Sequence, residues 1–213
     1  MHRSRLTADV TLPREPKQER SRRKQEKLLK AAAELFADPG FEAVTADVIA
    51  AHAGFGTGTF YNYFTNKTQA FLMVAGQHEL AVAPTLDRVT DAMAEGVSLH
   101  TLVQSIVASV IEDRQSVPWL RRTWLRLALT DDDVQAVQRR LDEEWDAAVA
   151  GVIDGIVQSG MAEMPPAGAR ALATTIRVMV DAVSDEVVLV GSITADDAAQ
   201  TVADMLVALL SQP

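Results

Sequence analysis

Between Thr45 and Lys67 the chain gathers a run of short hydrogen-bonding side chains: Thr57, Thr59, Tyr61, Asn62 and Tyr63, with Gly58 among them. Threonine hydroxyls can bond base edges or phosphates, and their methyls can touch a thymine methyl; an asparagine amide can pair with adenine. Tyr61, Tyr63 and Lys67 suit contacts to a phosphate backbone, which set register and not sequence. Thr45 is placed to open a helix, where free N–H groups favour a phosphate. Upstream, Arg14, Lys17, Arg20, Arg22, Arg23 and Lys24 form a loose basic cluster suited to phosphate or minor-groove contact. The contact set for a nucleic acid is therefore Arg22, Arg23, Thr45, Thr57, Gly58, Thr59, Tyr61, Asn62, Tyr63 and Lys67.

Other chemistries find less support. Gly54-Phe-Gly-Thr-Gly58 suggests a phosphate-binding glycine loop, yet no strand precedes it and no Gly-Lys-Ser/Thr ending follows. Asp131 to Asp133 fit a helix N-terminus better than a cation site. His2, His52, His78 and His100 are scattered, with no His-x-x-x-His pair, and no Ser/His/Asp set can be nominated by spacing. Cysteine is absent, which removes disulfides, Cys-based zinc sites and thiol catalysis. The expectation is no enzyme, no metal and no cofactor.

Two short helices around a tight turn must position the polar run. Thr45 is a good N-cap. Val48, Ile49 and Ala53 recur at roughly helical spacing, and Gly54 suits the left-handed residue that ends a helix. Phe55 is expected to plug the corner. Gly56 to Gly58 opens the second helix, in which Phe60 and Phe64 sit four apart and face inward, leaving the polar residues outside. A helix–turn–helix is built this way.

Gly-Thr-Phe-Tyr-Asn-Tyr-Phe-Thr-Asn-Lys67, preceded by Ala-Gly-Phe55, resembles the end of the helix–turn–helix of TetR-type (TetR/AcrR) transcriptional repressors. Leu28-Leu-Lys-Ala-Ala-Ala-Glu-Leu-Phe36 through Gly40-Phe41 to Val44-Thr45 resembles that family's first helix and Gly-Phe turn. The resemblance covers roughly residues 22 to 75. It implies a dimeric all-helical repressor whose C-terminal domain binds a small molecule. The family often has Ser where this chain has Gly56, so one capping or phosphate-touching hydroxyl is missing.

Net charge is −9, but its distribution fits the reading. Residues 1–75 carry eleven Lys and Arg against eight acids, and residues 76–213 carry nine Arg against twenty-one acids. One basic end and one acidic body suggest that one end meets nucleic acid. The N-terminus lacks a signal-peptide pattern, and Asp181, Asp185 and Glu186 interrupt the apolar stretch from Ile176 to Val190. A cytoplasmic protein without membrane association is expected.

The remainder reads as helix throughout. The first helix is predicted over 21–37, with an apolar stripe of Leu28, Ala32, Leu35 and Phe36. Asn66 and Gln69 form a capping-box-like start for the fourth, and Pro84 interrupts it. Ser98 caps a helix with Leu102, Ile106 and Val110 on one side. Pro118 opens the next, Thr130 and Asp131 to Asp133 a long one to about Ser159, Pro165-Pro166 another, and Thr194 to Asp197 the last. The fold class is thus all-α with about nine helices. Residues 1–20 form a basic arm, 21–66 a helix–turn–helix domain, and 67–213 a ligand-binding and dimerisation domain. The last two helices are apolar on more than one face, so Met179, Val183, Val187, Val202, Met205 and Leu209 are expected at a two-fold interface. Trp119, Trp124 and Trp145 are candidates for the wall of an apolar pocket, with Arg122, Arg126 and His100 as polar groups. The partners expected are a palindromic double-stranded DNA operator, a largely apolar small-molecule effector and a second copy of the chain. A helical small-molecule carrier with a structural N-terminal motif is the alternative.

Overall fold

A computed structural model describes residues 19–78, 95–158 and 167–210, and all described regular elements are helical. They are α1 (Glu19–Leu35), α2 (Ala46–His52), α3 (Thr57–Tyr61), α4 (Lys67–Ala75), α5 (Leu99–Ser116), α6 (Pro118–Thr130), α7 (Asp132–Gln158), α8 (Gly168–Asp185) and α9 (Ala195–Leu210). The arm before residue 19, Pro84 and the Pro165-Pro166 start lie outside the described residues.

Local sequence sets most helix ends. Thr45 caps α2 by accepting from the Val48 amide at 3.4 Å. Its far end closes on Gly54 at φ +78°, where the Phe55 amide reaches Ala50 O (2.8 Å) and the Gly54 amide reaches Ala51 O (3.0 Å). Only glycine takes that backbone conformation without strain, and the paired bonds satisfy carbonyls the helix leaves open. Asn66 caps α4 through the Gln69 amide (2.7 Å), and the Gln69 side chain returns to the Thr65 amide (2.7 Å), one residue earlier than in a standard capping box. Ser98 and Thr194 cap α5 and α9 through the amides of Thr101 and Asp197. Asp131 Oδ1 accepts from the Asp133 and Val134 amides, so the acidic triplet serves the start of α7. α1 stops earlier than expected: Phe36–Gly40 forms a wide turn in which Asp38 is extended.

The described residues fall into two compact units. The first takes in the residues up to 78 together with Trp119–Arg139; the second takes in those from 95 to Pro118 and from Arg140 onward. In the first, α1 packs on α2 and α4, and α2 on α3. Its core is aromatic. Phe36, Phe41 and Phe71 meet at centroid distances of 5.1, 5.6 and 6.1 Å, and Trp124 lies 6.2 Å from Phe71. Edge-on and tilted pairs of this kind add stabilisation beyond area burial.

In the second unit α9 packs chiefly along α5. Val107, Ile111, Val180, Val187, Ala198, Ala199, Val202 and Leu206 form its main core. The buried stripe of α5 is Leu102, Val107 and Ile111, with Ile106 and Val110 only half-buried, so the expected face is rotated slightly. α8 carries a polar stripe at helical spacing. Arg177 pairs with Asp146 (2.8 Å) and Asp142 (3.2 Å) of α7, Thr174 donates to Asp146 (2.6 Å), and Asp181 and Asp185 pair with Arg114 of α5. Burial pushes the Asp146 carboxyl up. The hydrogen bonds from Arg177 and Thr174, with the charges of Arg177 and Arg170, overcome that and hold it below its ordinary value.

The expected interface set divides. Val187 and Val202 are buried in their own unit's core, which corrects their assignment to a subunit interface; Met179 and Val183 are half-buried against that core. Met205 and Leu209 are 56% and 49% exposed. The cause is geometric. α9 meets α5 along one face and leaves its 205/209 side without a described neighbour.

Candidate nucleic-acid interface

The geometry of α3 follows from two phenylalanines. Phe60 and Phe64 are 0% and 1% exposed, with ring centroids 5.0 Å apart, and they fix which way the short helix turns. Phe55 is half-buried at the corner. On the other face Tyr61 is 58% exposed, its ring edge-on to Phe60 at 5.5 Å. Asn62 and Gly58 are exposed, and Thr57 and Thr59 half-exposed. Among the described residues no side-chain hydrogen bond involves Thr57, Thr59, Tyr61 or Asn62. The helix therefore presents a set of donors and acceptors with no partner among the described residues.

Gly56 precedes α3 with extended backbone and no side-chain cap, and an added Cβ there would meet nothing within 4 Å. The same holds for Gly58, so no internal packing demands either glycine. Val48, counted in the sequence among the apolar periodic positions of α2, is 44% exposed on the helix that precedes the turn.

Two residues expected to meet phosphates have internal partners instead. Tyr63 is 8% exposed, and its hydroxyl lies 2.8 Å from Ser21 Oγ in α1. Lys67 donates from Nζ to Phe41 O (2.9 Å) and Val44 O (3.2 Å), and the ammonium stands 4.3 Å from the Phe41 ring centroid. Glu42 lies 4.0 Å from Lys67 Nζ and 2.9 Å from Arg126 Nη1 of α6. In the turn before α2, Phe41 O takes only a long bond from the Val44 amide (3.4 Å), and Lys67 adds a charged donor to it and to Val44 O. A first-turn lysine opposed to the helix dipole is thus answered from inside the fold. Neither partner was legible, because each bond joins residues far apart in sequence.

Arg22 and Arg23 are exposed in the first turns of α1 and share the Glu19 carboxylate at 3.0 and 3.2 Å. Exposed pairs of this kind are weak and exchangeable. A phosphate can take the place of Glu19.

The tryptophans do not share one unit. Trp119 and Trp124 belong to the first, Trp145 to the second. Trp124 is buried against Phe71 and donates from Nε1 to Gln138. Trp119 and Trp145 are half-buried. Arg122 and Arg126 are exposed, and His100 bonds to Asp204 at 2.9 Å and to Gln200. Among the described residues no helix is long and apolar enough to cross a membrane, and no group of three or more His, Cys, Asp or Glu could hold a metal ion.

Residues 28–74 match the family model described as bacterial regulatory proteins, tetR family. No curated protein sequence matches the chain. Solved structures match the fold over most of its length. The fatty acid degradation regulator FadR from Bacillus halodurans is 18% identical, with 93% of this chain and 100% of that one covered at a TM-score of 0.66. Native NalD of Pseudomonas aeruginosa, the secondary repressor of the MexAB-OprM multidrug efflux pump, is 15% identical, covering 88% and 96% at 0.68. FadR from Bacillus subtilis in complex with stearoyl-CoA is 18% identical, covering 87% and 97% at 0.66. The exposed α3 face thus lies within a segment, residues 28–74, that is similar to bacterial regulatory proteins of the tetR family, and the all-helical fold is shared with solved regulators of that type.

Proposed function

We propose that the protein is a homodimeric repressor, released from a palindromic operator by a small-molecule effector. Each subunit would place α3 in a major groove, with half-sites about one helical turn, ~34 Å, or a multiple of it apart. The observation that carries the reading is the division of α3 and the residues just after it: Phe60 and Phe64 are buried on one side, and on the other Thr57, Thr59, Tyr61 and Asn62 make no side-chain hydrogen bond among the described residues. Thr57, Thr59 and Asn62 would read bases, Tyr61 would hold phosphate, Gly58 would allow close approach, and Thr45, Arg22 and Arg23 would add backbone contacts. Lys67 and Tyr63 act from behind, by holding the head in shape.

The exposed Met205 and Leu209 on α9 support a subunit contact there, of which Val187 and Val202 form the underlying core. The effector would be largely apolar, bound among the helices of the second unit beside Trp145. It would favour a dimer geometry in which the two heads no longer match the groove spacing, a population shift between two states. Long-chain acyl-CoA is a rational first probe, since one similar structure holds stearoyl-CoA.

The test is fluorescence anisotropy on the duplex upstream of the protein's own gene. Binding is expected to be tight, sequence-selective and steeply weakened by salt. A folded dimer that binds no duplex at low salt would sink the proposal. Release by acyl-CoA or another apolar compound tests the effector separately.

A further inference from the structure

We infer that Tyr63 is a positioning residue for DNA binding: through Ser21 it fixes the first turns of α1, and with them Arg22 and Arg23, relative to α3. The inference rests on the reading of α3 as the DNA-facing helix.

Tyr63 follows α3 directly, its amide bonded to Phe60 O at 2.9 Å. Its ring is 8% exposed. A phenol at that depth needs a hydrogen-bond partner, and the partner is Ser21 at 2.8 Å, 42 residues away in sequence. Ser21 lies in the first turn of α1, where little else holds the helix down. The buried residues of α1 begin at Leu28, so residues 19–27 contribute no buried side chain. The ion pairs there, from Glu19 to Arg22 and Arg23, are within the same helix and do not tie it to anything. Among the described residues, the Ser21–Tyr63 bond is the long-range side-chain hydrogen bond of this segment.

Helix ends without burial fray and open at little cost. Arg22 and Arg23 flank the tether point, with side chains 45% and 74% exposed. While the tether holds, both guanidiniums start from a backbone fixed in register with α3, and ordering them on a phosphate costs less. Without it, the first turns of α1 must be ordered at the moment of binding, and phosphate contacts drop out. Base reading by Thr57, Thr59 and Asn62 is not part of this effect.

The test uses the full-length chain and a duplex selected by the wild type from a random-sequence pool. Tyr63→Phe, Ser21→Ala and Ser21→Thr are measured by anisotropy across a salt series. Each phosphate contact contributes about 0.9 to the slope of log affinity against log salt, or roughly eightfold in affinity at 0.1 M relative to 1 M. Tyr63→Phe and Ser21→Ala are each expected to bind about eightfold more weakly at 0.1 M salt, with a slope reduced by about one. Base preference stays unchanged, and the double variant is no worse than either single one. Ser21→Thr keeps the hydroxyl and binds like the wild type. Wild-type affinity and slope in Ser21→Ala would overturn the inference. So would weaker binding with an unchanged slope or an altered base preference, since Tyr63 would then act through α3 itself. If Tyr63→Phe does not fold, the partly exposed Ser21→Ala decides alone. A wild type that selects no duplex would fail the DNA reading instead.

Discussion

Replacing Lys67 by methionine separates two roles that a lysine beside a recognition helix can play. Methionine keeps most of the stem and its packing and removes the ammonium. The ammonium donates to Phe41 O at 2.9 Å and Val44 O at 3.2 Å and stands 4.3 Å from the Phe41 ring. Hydrogen bonds from a charged donor contribute about 1.5–3 kcal/mol each when sheltered. The side chain is 29% exposed, so about 1 kcal/mol for each is the fitting figure. The ring contact adds about 0.5 kcal/mol. The Glu42 pair at 4.0 Å is exposed on the carboxylate side and contributes little. Lys67→Met should therefore destabilise the protein by about 2.5 kcal/mol, a fall of roughly 5–10 °C in Tm for a chain of this size. Thermal unfolding followed by circular dichroism reads it. The salt slope of DNA binding should not change, because no phosphate contact is lost. An unchanged Tm with a slope reduced by about 0.9 would refute the reasoning and return Lys67 to the backbone-contact role its position suggests.

Gly58→Ala should stabilise α3 by about 0.5–1 kcal/mol, since an added Cβ meets nothing within 4 Å, yet weaken DNA binding if α3 lies close against the groove. Unfolding and anisotropy on the same variant check both halves. Tyr61→Ala should weaken binding to all sequences alike, whereas Thr57→Ala should change base preference at one position by about 1–3 kcal/mol, read by selection from a randomised duplex. Asp146→Asn removes a charge held by Arg177 and Thr174 and should cost about 2 kcal/mol near neutral pH. Because the Asp146 pKa is lowered, its contribution is present above the ordinary carboxylate range and lost as pH falls through the lowered value. The difference between wild type and variant in denaturant unfolding should shrink on acidification. Met205→Glu combined with Leu209→Glu should convert a dimer to a monomer by sedimentation with the helical signal retained.

What the sequence made legible was local. Caps at Thr45, Asn66, Ser98 and Thr194 and the left-handed Gly54 depend on atoms within a few residues, and type and spacing suffice to place them. The inward pair Phe60 and Phe64 was readable for the same reason. Tyr63, Lys67, Trp124 and Val202 were not. Each is a residue whose type suits two environments, and a distant partner decides between them: Ser21, the carbonyls of Phe41 and Val44, Phe71 with Gln138, and the α5–α9 core. Amphipathic side chains such as tyrosine, lysine and tryptophan are the ones for which periodicity leaves both outcomes open.

The same division bears on how many heads an operator must engage. Once Tyr63 and Lys67 are assigned to holding the domain, the base readers left on α3 are Thr57, Thr59 and Asn62, and a threonine makes a single bond or a methyl contact where a bidentate side chain makes two. Good bidentate pairs discriminate by about 1–3 kcal/mol each, so one head of this composition supplies roughly 2–5 kcal/mol. Specific sites are favoured over non-specific DNA by about 4–10 kcal/mol in typical regulators. One α3 reaches only the lower edge of that range, and two reading the same duplex span it. On the proposed assignment of base readers, the sparseness of the reading face is an argument for a second copy, independent of the exposed Met205 and Leu209. A monomer made by charging those two positions should keep its salt slope per head while losing about half of its discrimination energy. A monomer that still separates operator from random duplex as well as the wild type does would break the link between the few free side chains of α3 and the need for a second copy.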